Sequence, residues 1–335
     1  MDKISLYKKT KEKGVKWLLA QRNEDGSFVP AQEGMHYFRV PWALAVSGRT
    51  AEAASLVEWI RKNMWTDGDF TGKYPRPHGK WGGAFYIYIN ANIILGAHLL
   101  RQFDISIPAM EFLIKNYHDN ENGGFFNNIE NTGADGEKEI CHSSQGGISA
   151  LMTGHIETAR KVAHFLKKVY DAQLELPDRL YIYYSTKKGL ITDFNNTPEE
   201  RRNYVIEAQE PRQMYFAPGI AAAFLVRLYM VTKNIEYLEL AKKYQKFAMG
   251  CTERQFEVPQ VCKTGWGSAL LYQVTKEEKY KEWTIRVGDY YVASQFEDGH
   301  WENIEPHKEP QIEINVRVTA EFIVHVDNII GALST

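Results

Sequence analysis

Apolar and polar positions form a block that returns several times along the chain. The first copy is an apolar helix end, Trp17-Leu18-Leu19, followed by polar residues, Asp25-Gly26 and the aromatic Phe28. Three further copies share this order and run over 59–70, 112–125 and 290–301. A period of roughly 40 to 50 residues in a helical context is typical of stacked helical hairpins, which bury their apolar faces only against neighbours. The pattern therefore predicts a helical repeat protein.

Helical periodicity separates two kinds of segment. Those that end at the repeated turn are predicted as outer helices, at about 5–21, 51–64, 107–117, 156–171, 235–250 and 277–295. More apolar segments rich in Gly and Ala are predicted as inner helices, at about 36–48, 82–102, 142–153, 211–232, 262–275 and 311–333. Six such pairs predict an all-α fold, an (α/α)6 toroid, that occupies residues 1–335 as a single domain.

The connections between these helices differ in length. Turns from an inner helix to the next outer helix are short, whereas connections from an outer helix to the next inner helix are long. The longest one contains two alternating segments, 180–184 and 189–193, which predict a small β-hairpin flap. Long irregular connections in compact domains usually carry binding or catalytic residues. We therefore expect the functional site on the face of the ring that carries the long connections.

Composition excludes several classes of function. The chain has 335 residues, of which 44% are hydrophobic, and a net charge of -2, which gives no electrostatic reason to expect nucleic acid or a membrane as partner. The charged N-terminal segment lacks an apolar signal core, so a soluble cytoplasmic protein is expected. The three cysteines, Cys141, Cys251 and Cys262, form neither an even disulfide set nor a Cys-x-x-Cys pair. The oligomeric state does not follow from the sequence.

The repeat resembles a known structural signature, a helix that ends in Gln followed by polar residues, Gly and an aromatic. Gln21 to Phe28 and Gln295 to Trp301 match it. It is similar to the terpenoid cyclase and protein prenyltransferase superfamily of α/α toroids, and the resemblance implies this fold over the whole chain. That superfamily's Asp-x-Asp-Asp and Asp-Asp-x-x-Asp runs do not occur, and Cys141-His142 lacks the Asp expected beside a prenyltransferase zinc site. The resemblance therefore implies fold rather than a particular activity.

Candidate site residues lie at the starts of inner helices or in the preceding loops. His142, His36 and Tyr215 are predicted to be catalytic, because His and Tyr supply acid–base groups and hydrogen-bond donors. His142 is favoured among them because Cys141 and Glu139 lie beside it. Residues predicted to bind the substrate are Arg39, Arg76, Trp81, Tyr86, Asn90, Arg212, Trp266 and Trp301. No metal site is predicted, since neighbouring ligands on a helix point apart, and no nucleotide-binding glycine loop is present, so no cofactor is expected.

Three functions are compatible with these residues. The first is a cofactor-independent enzyme that cyclises, isomerises or eliminates within a small terpenoid- or polyketide-like substrate in a central aromatic cavity. The second is a carbohydrate-active enzyme, either a sugar epimerase, an unsaturated-uronide hydrolase or a polysaccharide lyase, since (α/α)6 rings also resemble these. The third is a non-catalytic toroid that binds a peptide or protein. Apolar walls deep in the cavity favour a cyclase, whereas polar groups down to its floor favour a sugar enzyme.

Overall fold

The computed structural model describes residues 2–28, 37–70, 79–194, 197–302 and 312–335. Its long helices alternate between an outer and an inner layer. The outer and inner partners are α1 (Lys3–Leu19) with α2 (Val40–Val46), α3 (Thr50–Asn63) with α4 (Gly79–Leu99), α5 (Phe103–Tyr117) with α6 (Ile140–Met152), α7 (Ile156–Asp171) with α9 (Phe216–Thr232), α10 (Ile235–Gly250) with α11 (Cys262–Thr275), and α12 (Glu278–Ser294) with α13 (Ile312–Leu333). The short helix α8 (Pro198–Tyr204) lies in the connection before α9.

The inner helices form a closed ring. Each contacts the next inner helix along the chain, and α13 contacts α2, which returns the layer to its start. Close approach depends on small residues: a Cβ on Gly219 of α9 would collide with the backbone of Lys263 and Thr264 on α11. The inner helices are accordingly buried on most sides, as in α9, where the ten consecutive residues from Ala217 to Val226 are buried. The predicted all-α toroid is confirmed.

The repeated turns fix the spacing of the outer helices. Gly26, Gly68, Gly123 and Gly299 all have positive φ, and the aromatic that follows each of them is buried. A Cβ on Gly123 would also collide with the carbonyl oxygen of Lys161 on α7, the next outer helix. Glycine is therefore required at position 123 for two reasons: the positive φ and the close approach of the turn to α7. Each turn thus ends one outer helix and packs against the next.

The last repeat closes the outer layer on the first helix. The turn at Gly299 packs against the backbone of Lys13 on α1. Gln295 Nε2 donates to the carbonyl oxygen of Thr10 at 2.9 Å, and Tyr7 Oη donates to Asp289 Oδ1 at 2.9 Å. The first and last outer helices are therefore joined by packing and by hydrogen bonds, and the ring is closed in both layers.

The predicted flap is present but has a different arrangement. Strands β3 (Tyr183–Ser185) and β4 (Gly189–Leu190) form the hairpin, and β1 (Lys138–Glu139) adds to the other edge of β3. Strand β2 (Arg179–Tyr181) pairs separately with β5 (Val205–Glu207). The segment predicted as one strand over 180–184 is split because Ile182 bonds elsewhere: its carbonyl accepts from Ile140 and its amide donates to Tyr204. The flap is thereby attached to the start of α6.

The predicted difference between connections is also observed. Inner helices are joined to the following outer helices by short turns, such as 153–155 and 233–234, whereas the reverse connections include 118–139 and 172–215. Within the described ranges, no helix has both the length and the apolar character needed to cross a membrane.

Candidate functional site

A cavity of about 150 Å³ opens where the inner helices begin. The charged, histidine and tyrosine side chains in its lining come from five of the six inner helices or the residues just before them. These are Arg39 before α2, Tyr88 of α4, His142 of α6, Lys263 of α11, and Arg317 and Glu321 of α13. The cavity thus lies at the ends of the inner helices to which the long connections lead, as the loop lengths predict.

Glu321 is the centre of the charged network in the cavity. Its Oε2 forms an ion pair with Arg39 Nη1, and its Oε1 lies 2.5 Å from Lys263 Nζ. His325, one helical turn further along α13, places Nε2 at 3.4 Å from the same Oε1. Both carboxylate oxygens therefore have a cationic partner, and three inner segments far apart in sequence are held together.

The network changes the protonation equilibria of its members. Burial alone would raise the pKa of Glu321, but the charges of Arg39 and Lys263 hold that pKa well below its usual range. Burial would lower the pKa of Lys263, yet Cys262 and Glu321 raise it above the usual value. Burial lowers the pKa of His325 to about 4. At neutral pH, the network therefore contains an ionised carboxylate, charged Lys263 and an uncharged imidazole.

His142 occupies the first turn of α6 and is backed by Glu139. The Glu139 carboxylate caps the helix, accepting from the backbone N–H groups of Cys141 at 2.7 Å and His142 at 2.8 Å. The same Oε2 lies 2.9 Å from Nδ1 of the His142 ring. This contact is close, but the two groups are not aligned as a hydrogen bond, since the carboxylate points at the helix amides. Glu139 therefore fixes the backbone of His142 and places a negative charge behind its ring.

Tyr88 brings these groups together. Its Oη forms a hydrogen bond with Arg39, and its ring makes an edge contact with the His142 ring at 5.7 Å between centroids. Arg39 Cζ and Lys263 Nζ lie 4.7 and 5.6 Å from the Tyr88 ring centroid. A histidine and two cations are therefore gathered around the phenol ring of Tyr88. This arrangement can accept a proton at His142 and stabilise negative charge on a bound oxygen.

Two groups of side chains in this region have the spacing of metal ligands. One consists of Glu139, Cys141 and His142, and the other of Cys262, Glu321 and His325. In the second group, Lys263 and Arg39 already pair with Glu321, and their charges oppose a bound cation. In the first, the carboxylate oxygens accept from backbone amides, and burial raises the pKa of the Cys141 thiol well above its usual value. Neither donor set is well suited to a metal ion, and metal independence stays a prediction.

Some of the predicted site residues line the cavity, and others do not. Arg39 and His142 line the cavity. Tyr215 is fully buried, its hydroxyl donates to the carbonyl oxygen of Glu210, and burial raises its pKa to about 12. Trp301 is buried against Phe322 and donates to the carbonyl oxygen of Tyr291. Arg212 is exposed and adopts a positive φ. Tyr215, Trp301 and Arg212 are therefore not part of the cavity lining.

The remaining predicted residues belong to the walls of the ring or lie outside the described residues. Tyr86 packs against Tyr117 of an outer helix. Asn90 is buried, and its side chain has no hydrogen-bond partner among the residues that the structure describes. Trp266 is buried behind the charged network, 5.3 Å from His325 between ring centroids. His36, Arg76 and the side chain of Trp81 lie outside the described residues.

Sequence reasoning missed Glu321 and Tyr88, which join the charged groups of the cavity to one another. A signal for Glu321 was present: Arg317, Glu321 and His325 recur every four residues along an inner helix and so share one face. Charged residues at such spacing in a buried helix require partners. Tyr88 carries no comparable signal, because its neighbours Tyr86 and Asn90 point to another face.

A second hollow, of about 620 Å³, lies on the side of the ring that carries the short turns. Much of its lining consists of exposed side chains such as Lys8, Lys16 and Arg49, while Lys11 pairs with Asp327 at 2.6 Å. It is larger than the first cavity but lacks a buried group of acid–base residues. The first cavity is therefore the better candidate for chemistry.

Solved structures with this architecture include enzymes of different chemistry. A D-mannose isomerase matches 98% of this chain and 97% of its own at 12% identity, with a TM-score of 0.68. A family 76 glycoside hydrolase from a bovine Bacteroides thetaiotaomicron strain matches 96% of this chain and 77% of its own at 12% identity, with a TM-score of 0.62. A variant of a type II terpene cyclase from Scytonema, in complex with geranylgeranyl dihydroxybenzoate, covers 98% and 99% at 13% identity, with a TM-score of 0.59.

These similarities define the class of fold, the α/α toroid. No protein-family model matches the chain, and no curated protein sequence matches it. The resemblance to the terpenoid cyclase type of toroid is confirmed at the level of architecture, and it extends equally to toroids of carbohydrate enzymes.

Proposed function

We propose that the protein is an enzyme that transfers protons within a small hydroxylated carbonyl compound, as in the isomerisation or epimerisation of a sugar. The observation that carries this proposal is the position of His142, backed by the charge of Glu139 and facing a cavity with Arg39 and Lys263 around Tyr88. This is the carbohydrate alternative among the functions expected from the sequence, narrowed to isomerase or epimerase chemistry. It takes precedence because the charged side chains of Arg39, Lys263 and Glu321 lie in the wall of the cavity that His142 also lines.

The geometry supports each step of such a reaction. His142 acts as the general base that removes a proton from the carbon next to the carbonyl group. Glu139 stabilises the imidazolium formed by its negative charge, since its Oε2 lies 2.9 Å from Nδ1 of His142. The negative charge that develops on the substrate oxygen is stabilised by Arg39 and Lys263, whose positions are already fixed by Glu321. In isomerisation, the proton of the adjacent hydroxyl group moves to the former carbonyl oxygen, and the imidazolium returns its proton to the former carbonyl carbon. In epimerisation, the imidazolium returns its proton to the opposite face of the original carbon after a rotation of the intermediate.

Hydrolysis of a glycosidic bond is less well supported by the same residues. It ordinarily requires two carboxyl groups on either side of the bond, one of them able to donate a proton. Among the described residues that line the cavity, Glu321 is the carboxylate, and its cationic partners hold its pKa well below the usual range, so it stays ionised. Glu139 is not among the residues that line this cavity, and its carboxylate is engaged as a helix cap.

Cyclisation of a terpenoid is also less well supported. Such a substrate requires an apolar cavity that shields a carbocation, whereas this one is lined by Arg39, Lys263 and Arg317. Phe216, Val318 and Phe322 also line the cavity, but they share its wall with these charged side chains and with Glu321.

Solvent deuterium exchange tests the proposal. We expect NMR to show a C–H bond next to the carbonyl of D-mannose, D-fructose, D-glucose or D-glucuronate replaced by C–D when one is incubated with the protein in D2O. His142→Gln should lower the exchange rate about 10²- to 10⁴-fold, the usual contribution of a general base. His155→Gln, at the start of an outer helix, is the control and should exchange normally. Failure of all four sugars to exchange, or full exchange by His142→Gln, would contradict the proposal.

A further inference from the structure

Arg227 of α9 reaches into the centre of the ring. Its Nη2 donates to Oδ1 of Asn328 on α13 at 3.3 Å, and its guanidinium carbon lies 5.7 Å from the ring centroid of Trp266 on α11. In the inner layer, α11 lies between α9 and α13, and the other side of α11 is covered by the outer helices α10 and α12. The side chain of Arg227 therefore passes α11 on its inner side and lies in the central space of the ring.

This part of the central space lies beyond the charged network of the first cavity. Along α13, His325 and Asn328 follow Glu321 by one and about two helical turns. Arg227 lies five residues before the end of α9, which leads into the short turn 233–234. The ends of all six inner helices on this side are among the described residues. Arg227 therefore belongs to the half of the ring that faces the short turns.

Arg227 is a cation without a carboxylate partner. Among the described residues, its guanidinium forms no ion pair, and its hydrogen-bond partner is the uncharged amide of Asn328. Burial lowers the pKa of Arg227 to about 10, and no carboxylate in the described part of the chain raises it. The side chain is nevertheless partly exposed, so solvent reaches it. The position thus combines a positive charge that lacks a counter-charge with access for a ligand.

A largely enclosed cation is costly unless a negative charge compensates it. The C-terminal dipoles of the inner helices favour a cation on this side, but their effect is confined to the last turn, and Arg227 lies further in. We propose that the central space at Arg227 binds a small oxyanion, a phosphate or carboxylate group, on the side of the ring opposite to the first cavity. The terminal nitrogens of a guanidinium offer such an anion two parallel N–H donors. This site is independent of the proposed function.

Calorimetric titration with inorganic phosphate, acetate and chloride at low ionic strength tests the inference. We expect phosphate or acetate to bind about tenfold or more tightly than chloride, which has no second acceptor atom for the parallel donors. Comparison of phosphate with acetate identifies the preferred oxyanion. Arg227→Met should weaken binding of that anion about 10- to 100-fold, the range expected for charge-assisted hydrogen bonds. Arg227→Lys keeps the charge but not the planar donors, so it should retain an intermediate affinity.

Thermal unfolding gives a second measurement that tests the missing counter-charge itself. Methionine keeps an apolar side chain beside Trp266, so Arg227→Met removes a cation without leaving a carboxylate unpaired. Without added anion, its unfolding midpoint should therefore equal or exceed that of the parent protein. The preferred anion should raise the midpoint of the parent protein but not that of the variant, since a ligand stabilises only the protein that binds it. A lower midpoint of Arg227→Met without added anion would show that Arg227 already has a stabilising partner, and would overturn the inference.

Arg286→Met is the matched control. The Arg286 guanidinium also lies beside a tryptophan, 5.5 Å from the ring centroid of Trp283, but it pairs with Glu253. This variant should bind the three anions as the parent protein does. Three results overturn the inference: no binding of phosphate or acetate, equal binding of chloride, or unchanged binding by Arg227→Met, which would place the anion elsewhere. None of them changes deuterium exchange at His142, so the isomerase proposal stands or fails separately.

Discussion

Arg39 and Glu321 form an ion pair between the residue that precedes the first inner helix and the middle of the last one. Their side chains are 6% and 14% exposed, so the pair is largely removed from water. Lys263 shares the carboxylate, which makes Glu321 the counter-charge for two buried cations. The pair therefore serves the fold, by joining the ends of the inner ring, and the site, by fixing its cations.

Removing the charge of Glu321 should destabilise the protein. Glu321→Gln leaves Arg39 and Lys263 without their counter-charge, and breaking a buried pair in this way typically costs about 3–5 kcal/mol. Urea denaturation should show this loss in the free energy of unfolding. The control Glu253→Gln breaks a pair whose carboxylate is 73% exposed, so its effect should stay below about 1 kcal/mol. Equal effects of the two substitutions would show that the network does not stabilise the fold.

Stability should fall as the pH falls below neutrality. Burial lowers the pKa of His118 and of His325 from 6.5 to about 4. Between pH 4 and pH 6.5, these two histidines bind protons in the unfolded chain but not in the folded protein. The free energy of unfolding therefore rises with pH in this range. The contribution of the two uncharged histidines to stability is complete above about pH 6.5 and is lost as the pH falls towards 4. Denaturation at pH 7, 6 and 5 should show this slope, with a smaller slope in His118→Gln; an identical slope in the variant would refute the assignment.

The repeated turn should not tolerate a side chain. Gly123→Ala meets both a positive φ and the carbonyl oxygen of Lys161, whereas Gly154→Ala has a positive φ with open space around it. The second substitution should cost about 1–2 kcal/mol for backbone strain. The first should cost clearly more, because α7 must move away. The difference between their denaturation midpoints measures the packing contribution, and similar midpoints would show that close approach is unimportant.

The single-domain prediction can be tested by unfolding. Because the inner helices contact each other in a closed cycle, loss of one hairpin should destabilise both neighbours and then the whole ring. Circular dichroism and tryptophan fluorescence should therefore report one coincident transition. Two separated transitions, or proteolysis that releases independently folded halves, would argue for two domains.

Activity should survive chelation. The proposed chemistry uses His142 and fixed cations, and the two candidate metal groups are occupied by competing interactions. We expect unchanged deuterium exchange after treatment with EDTA and dialysis. Elemental analysis gives a second measurement that does not depend on activity: one equivalent of zinc or iron per chain would contradict the prediction.

The repeat made the fold predictable. Gly26, Gly68, Gly123 and Gly299 mark helix ends in the sequence, and the structure places a turn at each. Whether a helix belongs to the inner or the outer layer follows from its composition, since inner helices must be apolar on nearly every side. The division of the flap was not predictable, because it depends on Ile182 bonding to Ile140 and Tyr204, which are distant in sequence. Local alternation indicates a strand but not its partners.

The candidate site was only partly predictable, for a similar reason. Arg39 and His142 could be predicted because they lie at the starts of inner helices, and this is the end of the helices at which the cavity opens. The same rule selected Tyr215, yet its hydroxyl reaches the backbone of Glu210 instead. Glu321 lies well inside a helix, so only its four-residue spacing from Arg317 and His325 marked it. Side-chain direction within a turn is decided by tertiary packing.

Closure of the ring has a consequence for the order in which the protein can form on the ribosome. Helix α1 is synthesised before its partners around Asp289, Gln295 and Gly299, which emerge nearly three hundred residues later. A nascent chain that ends at α11 contains Arg39 and Lys263 but lacks Glu321, their shared counter-charge. Contacts of such long sequence separation form late, because the entropy of closing the intervening loop must be overcome first. The cavity is therefore completed only in the final stage of folding, and incomplete chains do not contain an assembled site.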